Sequence, residues 1–319
     1  LEFRRVLFRS MSSVRTARPD SNKRGREIDM SEMTSPPPTW LRILQFPPIR
    51  LVLLGVPLFG CIAFSNTFME ENKGDAAAAI VAASAMASLA MCIYFGFVRW
   101  IERREVTEFS LSGMPREMGI GLLIGAGLYT GCMIILYILG IFRIGGFNPF
   151  PIMLPAIALA ISSGFLEELL FRGALFRIVE EWLGSWVSII VSSAVFGLTH
   201  LANPDATVTG AVFISVEAGL LLAAAYMLTR RLWMSIGFHM AWNYTQSAVF
   251  GGIVSGGVAE PGLIKPIIDG SDLLTGGKFG LEASLTAFTL CTTAGVILLV
   301  KAHRRGHIVP PFWKQKNAS

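Results

Sequence analysis

Glu167-Glu168-x-x-x-Arg172, Phe196-x-x-x-His200 and His239-x-x-x-Asn243 each lie inside or at the edge of a strongly apolar segment. An ionisable side chain at membrane depth costs about 2.5 kcal/mol or more on insertion scales, so it faces a protein-lined or watery cavity and has a role there. Two carboxylates, two imidazoles, a guanidinium and a carboxamide can together move protons and stabilise an oxyanion. On a helix Glu168 and Arg172 are four residues apart and share a face, so the arginine pairs with the second glutamate and holds it ionised. Glu167 points about a hundred degrees away. That leaves it free to serve as a general base. The competing reading places both glutamates on a solvated helix end with Arg177, Glu180 and Glu181.

These residues need a scaffold, and the composition names its class. Of 319 residues, 53% are hydrophobic and only 15% charged, with a mean hydropathy of +0.57. Soluble domains carry about a quarter charged residues. The expected fold is an all-α polytopic membrane protein of about eight transmembrane helices around an intramembrane catalytic cavity. Apolar runs at roughly 49–69, 77–98, 119–142, 152–178, 185–203, 208–229, 232–250 and 281–300 are the expected spans. Residues 1–10, LEFRRVLFRS, precede Met11 and read as a sequence artefact. The polar stretch 11–45, with Pro36-Pro37-Pro38, reads as a disordered cytoplasmic tail. Residues 46–301 form the membrane domain, with the chemistry at about 150–250, and 302–319 form a basic cytoplasmic tail.

Eight spans put both termini on one side, and the loop charges choose the side. Arg42, Arg50, Arg99, Arg103, Arg104, Arg172, Arg177, Arg230, Arg231, Lys301, Arg304 and Arg305 all fall toward the termini, whereas Glu70, Glu71, Asp75, a lone Arg143, Asp205, Glu260, Asp269 and Asp272 occupy the opposite loops. The positive-inside rule makes both termini cytoplasmic. The formal charge of +5 follows from these anchors, so no nucleic-acid partner is needed to explain it. Cys61, Cys92, Cys132 and Cys291 sit within expected spans without a paired spacing and read as small buried hydrophobes.

Depth decides whether the motifs can meet. His200 is fifteen residues into the fifth expected span, ~22 Å at 1.5 Å per residue. Glu167 reaches a similar depth, ~20 Å, only if the fourth helix continues to Glu180 and Glu181. A long fourth helix with a buried, paired Arg172 is therefore expected. His239 and Asn243, eight and twelve residues after Arg231, fall about 12 and 18 Å deep on one helical face. Glu217, in the middle of the sixth span, is a supporting-site candidate that could pair with a histidine or an arginine. Gly219 and Ala223 read as close helix packing. Phe196 and Trp242 read as cavity lining, and Asn203-Pro204-Asp205 as the turn ending the fifth span.

The pieces SSGFLEELLFRGALF, VFGLTH and RRLWMSIGFHMAWN, in this order on successive apolar segments, resemble the motif blocks of the CAAX-protease and bacteriocin-processing family (CPBP, or Abi) of intramembrane proteases. The resemblance covers about residues 160–247. It implies an endopeptidase of peptides or prenylated proteins in a bacterial cytoplasmic membrane. Carried over, Glu167 activates water, His200 assists it, His239 and Asn243 stabilise the oxyanion, and Glu168 and Arg172 support them. Members are commonly labelled metalloproteases, and Glu167, His200 and His239 could hold zinc. No HExxH is present, however, so the favoured mechanism needs no cofactor. No rhomboid-like GxSG occurs, and no aspartate lies within an expected span. The alternatives are a non-proteolytic membrane scaffold or bacteriocin immunity factor, and, more remotely, a proton-coupled transporter, for which the chain lacks an evident repeat.

Overall fold

The computed structural model describes residues 38–315. The expectations for residues 1–10 and for residues 11–37 lie outside them. Within the last part of the expected tail, Thr39–Leu44 forms a short helix that buries Leu41.

Seven helices among the described residues are long and apolar enough to cross a membrane: Pro47–Glu71, Ala76–Glu102, Met114–Ile138, Phe150–Leu183, Ser185–Ala202, Val208–Thr229 and Leu285–Arg304. The remaining expected span, 232–250, is a shorter helix. It runs from Trp233 to Tyr244 and continues with π winding from Thr245 to Val249. Its side chains are buried almost all round, including Ser235, His239, Asn243 and Gln246. A helix buried on every side belongs to an interior. The seventh expected span is thus a central helix enclosed by the others.

Local chemistry marks where the helices begin and end. Pro47 and Pro115 occupy the first turns of the first and third helices, and Pro155 opens the α-helical winding of the fourth after the 3₁₀ turn Phe150–Met153, positions where a missing N–H costs nothing. The side chains of Asp75, Thr207 and Ser284 accept from the backbone N–H groups of Ala78, Gly210 and Ala287, capping the second, sixth and eighth. Gly184, at φ +81°, makes the break between the fourth and fifth helices, and a Cβ there would press on Val309 and Pro311 of the C-terminal segment.

The all-α expectation meets one exception. Phe142–Phe147 (β1) and Ile264–Ile268 (β2) pair antiparallel, Phe142 opposite Ile268 and Ile144 opposite Pro266. The expected third span runs to 142 and the expected eighth begins at 281, so both strands fall in stretches read as span end and glycine-rich loop. A pairing of two short segments more than a hundred residues apart leaves no local periodicity to read.

The two ends of the bundle differ in character. At the end holding both described chain ends, Arg50 bonds Glu102 and Glu181, and Arg177 bonds Glu102 and Glu181 and lies 3.5 Å from Glu108. Arg104 reaches Glu102 and Glu108, Arg230 pairs with Glu180, and Arg231 with Glu117. Arg177, Glu180 and Glu102 are buried, so the solvated-end reading of Arg177 and Glu180 does not hold. The C-terminal segment closes over this network through His307 Nδ1 and the Met227 carbonyl, 2.8 Å apart, and Val309 N–H to Ser185 Oγ at 2.8 Å.

The seventh helix packs hardest on the third. A Cβ at Gly121 would collide with the Met234 carbonyl oxygen, one at Gly125 with that of Phe238, and one at Gly237 with that of Met118. Small residues at such spacing let backbones approach closely, as in membrane helix pairs. Gly127 has open space instead. Gly121→Ala and Gly125→Ala should each destabilise the protein by about 1–3 kcal/mol through overpacking, whereas Gly127→Ala should be neutral or mildly stabilising. Thermal unfolding of the three variants in detergent checks this, and equal melting points would refute the backbone contact.

Candidate active site

The fourth helix is continuous from Phe150 to Leu183, so it does carry Glu167 deep into the bundle. Its winding departs from α: Ser162–Glu167 and Leu169–Phe176 are π-helical. Short π segments inside helices are frequent at functional sites, where they re-aim side chains.

Arg172 is the fully buried centre of the arrangement. Its Nη1 donates to Glu168 Oε1 at 2.8 Å, and its Nη2 to the carbonyl oxygens of Ala218 and Gly219 on the sixth helix at 3.3 and 3.4 Å. The guanidinium lies 4.8 Å from the Phe196 ring centroid on the fifth helix and 6.0 Å from that of Phe171. Glu168 Oε1 also meets His239 Nδ1 of the seventh helix at 2.9 Å. Four helices are therefore joined by one ion pair and its neighbours.

His239 stands between the two glutamates. Nδ1 is taken by Glu168, and Nε2 faces Glu167 Oε2 at 3.8 Å. Opposite a carboxylate, Nδ1 is assigned as the donor. Glu168 is sealed from solvent while Glu167 keeps 21% side-chain exposure. The separation of the two carboxylates into a tied one and an accessible one agrees with the sequence reading, but the shared histidine between them does not follow from it.

Glu167, His200, His239 and Asn243 all line one cavity of about 1050 Å³. His200 ends the fifth helix, its Nδ1 2.7 Å from the Phe196 carbonyl, which leaves Nε2 for the cavity. Phe196, 1% exposed, packs its ring 4.8 Å from the His200 ring and 6.0 Å from that of His239. It thus packs against both imidazoles as well as lining a cavity. The cavity reaches the loops opposite the described chain ends, where Glu70, Lys73, Asn203 and Glu260 form its rim. Lys73 Nζ sits 2.7 Å from Glu70 and 3.9 Å from Glu260, and the Glu70 hydrogen bond raises its ammonium above the ordinary lysine value.

The zinc alternative meets an obstacle in the same geometry. Among the described residues no three His, Cys, Asp or Glu side chains converge as a metal-holding group. Glu167, His200 and His239 share a cavity without forming a ligand set, and the nitrogen of His239 nearer Glu168 is already engaged.

Glu217 is 1% exposed and makes no ion pair with a histidine or an arginine among the described residues, contrary to the pairing entertained for it. It lines a second, small cavity with His239, Asn243, Trp242 and Glu282. Glu282 is the residue that the motif reading passed over. Its Oε1 accepts from Trp242 Nε1–H at 3.2 Å and its Oε2 from the N–H and O–H of Ser255. An acidic residue at the start of an otherwise apolar run was the available signal. Gly219 packs on Ser193 as closely as expected.

Removing Arg172 leaves a buried carboxylate uncompensated. Arg172→Ala should cost about 3–5 kcal/mol, and the Glu168→Ala, Arg172→Ala double variant should lose less than the sum of the singles. Unfolding in detergent measures the cycle, and additive losses would disprove the pairing.

No curated protein and no solved structure matches the chain. Residues 149–245, which hold all three motifs, match the family model described as Rce1-like, Type II CAAX prenyl endopeptidase Rce1-like, so this part of the chain is similar to the CAAX-type intramembrane proteases that its motifs resemble.

Proposed function

We infer that the chain is an intramembrane endopeptidase of the CAAX-processing, CPBP type in which a glutamate activates water. One observation carries this reading: His239, held at Nδ1 by Glu168, turns Nε2 toward Glu167 across 3.8 Å on the wall of the cavity that also receives His200 and Asn243. That spacing is too long for a direct hydrogen bond and suits a bridging water. Glu167 takes a proton from the water as its oxygen attacks the peptide carbonyl carbon, with the Nε2 of His200 as a second acceptor in reach of the cavity. The carbonyl oxygen becomes an oxyanion that accepts from Asn243 and from the Nε2–H of doubly protonated His239, a form flanked by carboxylates at both ring nitrogens. Collapse breaks the C–N bond, and Glu167 returns its proton to the leaving amine. No step passes through a metal.

A quenched fluorescent peptide with a CAAX-type C terminus, prenylated and unprenylated, tests the reaction with detergent-purified protein. Glu167→Gln should lower kcat by about 10²–10⁴ and Asn243→Ala by about 10²–10³, with chelator without effect. Activity that chelator abolishes and zinc restores would replace this mechanism with a metal-dependent one. Cleavage indifferent to Glu167→Gln would reject it and favour a scaffold or immunity role.

Orientation bears on the substrate. The arginine-rich end and both described chain ends coincide, so the positive-inside rule supports cytoplasmic termini, and the cavity rim at Glu70, Lys73 and Glu260 then faces the other compartment. A peptide precursor presented on that side fits this arrangement better than a cytosolic prenylated protein. With the four native cysteines replaced, Lys73→Cys in intact cells should react with a membrane-impermeant maleimide and Arg305→Cys should not. The reverse labelling would put the rim in the cytoplasm, in reach of CAAX proteins.

A further inference from the structure

Behind the wall that carries His239 and Asn243 lies a separate cavity of about 20 Å³, lined by Glu217, Glu282, Ser255 and Trp242 as well as by those two residues. About 10–15 Å³ is enough to hold one water, and a buried water settles where two or more polar groups need partners. Three features meet that need. Glu217 is 1% exposed, and its Oε2 has no hydrogen-bond partner among the described residues. The Asn243 carboxamide, on the boundary between the small cavity and the main one, likewise has no hydrogen bond to a described side chain or backbone group. Both oxygens of Glu282 already accept from Trp242 and Ser255, whereas Glu217 Oε2 has no donor, so Glu217 has the greater need of a guest. A carboxyl oxygen buried without a partner costs a few kcal/mol in low dielectric, about the amount a bound water recovers.

We propose that Glu217 is a positioning residue for the reaction: through a single water held in the small cavity, it fixes the Asn243 carboxamide with its N–H groups toward the main cavity. The water donates one hydrogen to Glu217 Oε2 and the other to Asn243 Oδ1. With its oxygen so occupied, Asn243 presents both N–H bonds where the oxyanion forms. Ser255 belongs to the same construction. It holds a left-handed backbone at φ 51°, a strained conformation for a side chain other than glycine's, and persists because Glu282 receives both its N–H and its O–H. Ser255 lines both cavities and stands on the boundary between them with His239 and Asn243.

The proposal rests on the oxyanion role given to Asn243, and a structural readout separates the two. In a high-resolution structure of the wild type, one ordered water should lie between Glu217 Oε2 and Asn243 Oδ1, and in Glu217→Leu it should be absent with Asn243 rotated. A small cavity without that water, or an unmoved Asn243 in the variant, overturns the proposal whether or not the protein cleaves a peptide. Kinetics give the second readout. Glu217→Leu should lower kcat about 10- to 100-fold with KM within about twofold, the pattern of an interaction made only in the transition state. Glu217→Gln keeps an acceptor oxygen for the water and should recover most of that loss. Adding Glu217→Leu to Asn243→Ala should cost nothing further, because both act through one donor. An additive double variant, or a folded Glu217→Leu with wild-type kcat, rejects the positioning role. If the water is present but Asn243→Ala cleaves normally, the positioning stands and the oxyanion assignment fails.

Discussion

A guanidinium sealed from water must be surrounded by acceptors, and Arg172 draws them from three directions. Glu168 lies on its own helix, the Ala218 and Gly219 carbonyls on the sixth, and the face of Phe196 on the fifth. A charge of this kind in low dielectric is tolerated only when its partners are in place, and removing any of them leaves the rest uncompensated. The pair therefore dictates how the helices meet. Because Glu168 also receives His239, the same constraint sets the rotation of the seventh helix and the direction of the imidazole. In the proposed mechanism the chemistry stands on this pair without using it.

The winding of the backbone serves that centre. π segments occur at Ser162–Glu167 and Leu169–Phe176 on the fourth helix and at Ser215–Gly219 on the sixth, beside the ion pair on both sides. Such segments change which side chains share a face. Their local effect is that adjacent glutamates, which a regular helix turns well apart, both reach one histidine. One is locked away from solvent and the other is left open to the cavity, so two chemically identical groups acquire different roles from their surroundings.

The bundle is closed at one end and open at the other. Interlocked arginines and glutamates from the first, second, fourth and sixth helices, overlaid by the segment at 307–311, shut the end that holds both described chain ends. At the opposite end the loops at 70–76, 202–204 and 252–261 leave the large cavity accessible. The β1–β2 pair and the Glu282–Ser255–Trp242 contacts hold those loops in shape. A closed end gives the deep residues fixed positions, and the open end leaves the cavity accessible.

Much was readable from the chain because membrane insertion makes polarity informative. Where lipid is the solvent, every buried charge stands out against its background, so Glu167, Glu168, Arg172, His200, His239 and Asn243 were legible as one set and the helical class followed from hydropathy. The pairing of Glu168 with Arg172 was legible too, since four residues on a helix bring two side chains together. Tertiary structure alone decided that Trp233–Val249 is an enclosed central helix, that His239 lies between two glutamates, that Arg177 and Glu180 are buried in an ion network, and that Glu282 braces the site. Each of these depends on contacts between segments distant in sequence. Spacing along the chain fixes which residues share a helix face, but which face meets which is set by the simultaneous packing of eight helices and the partners that each buried charge requires.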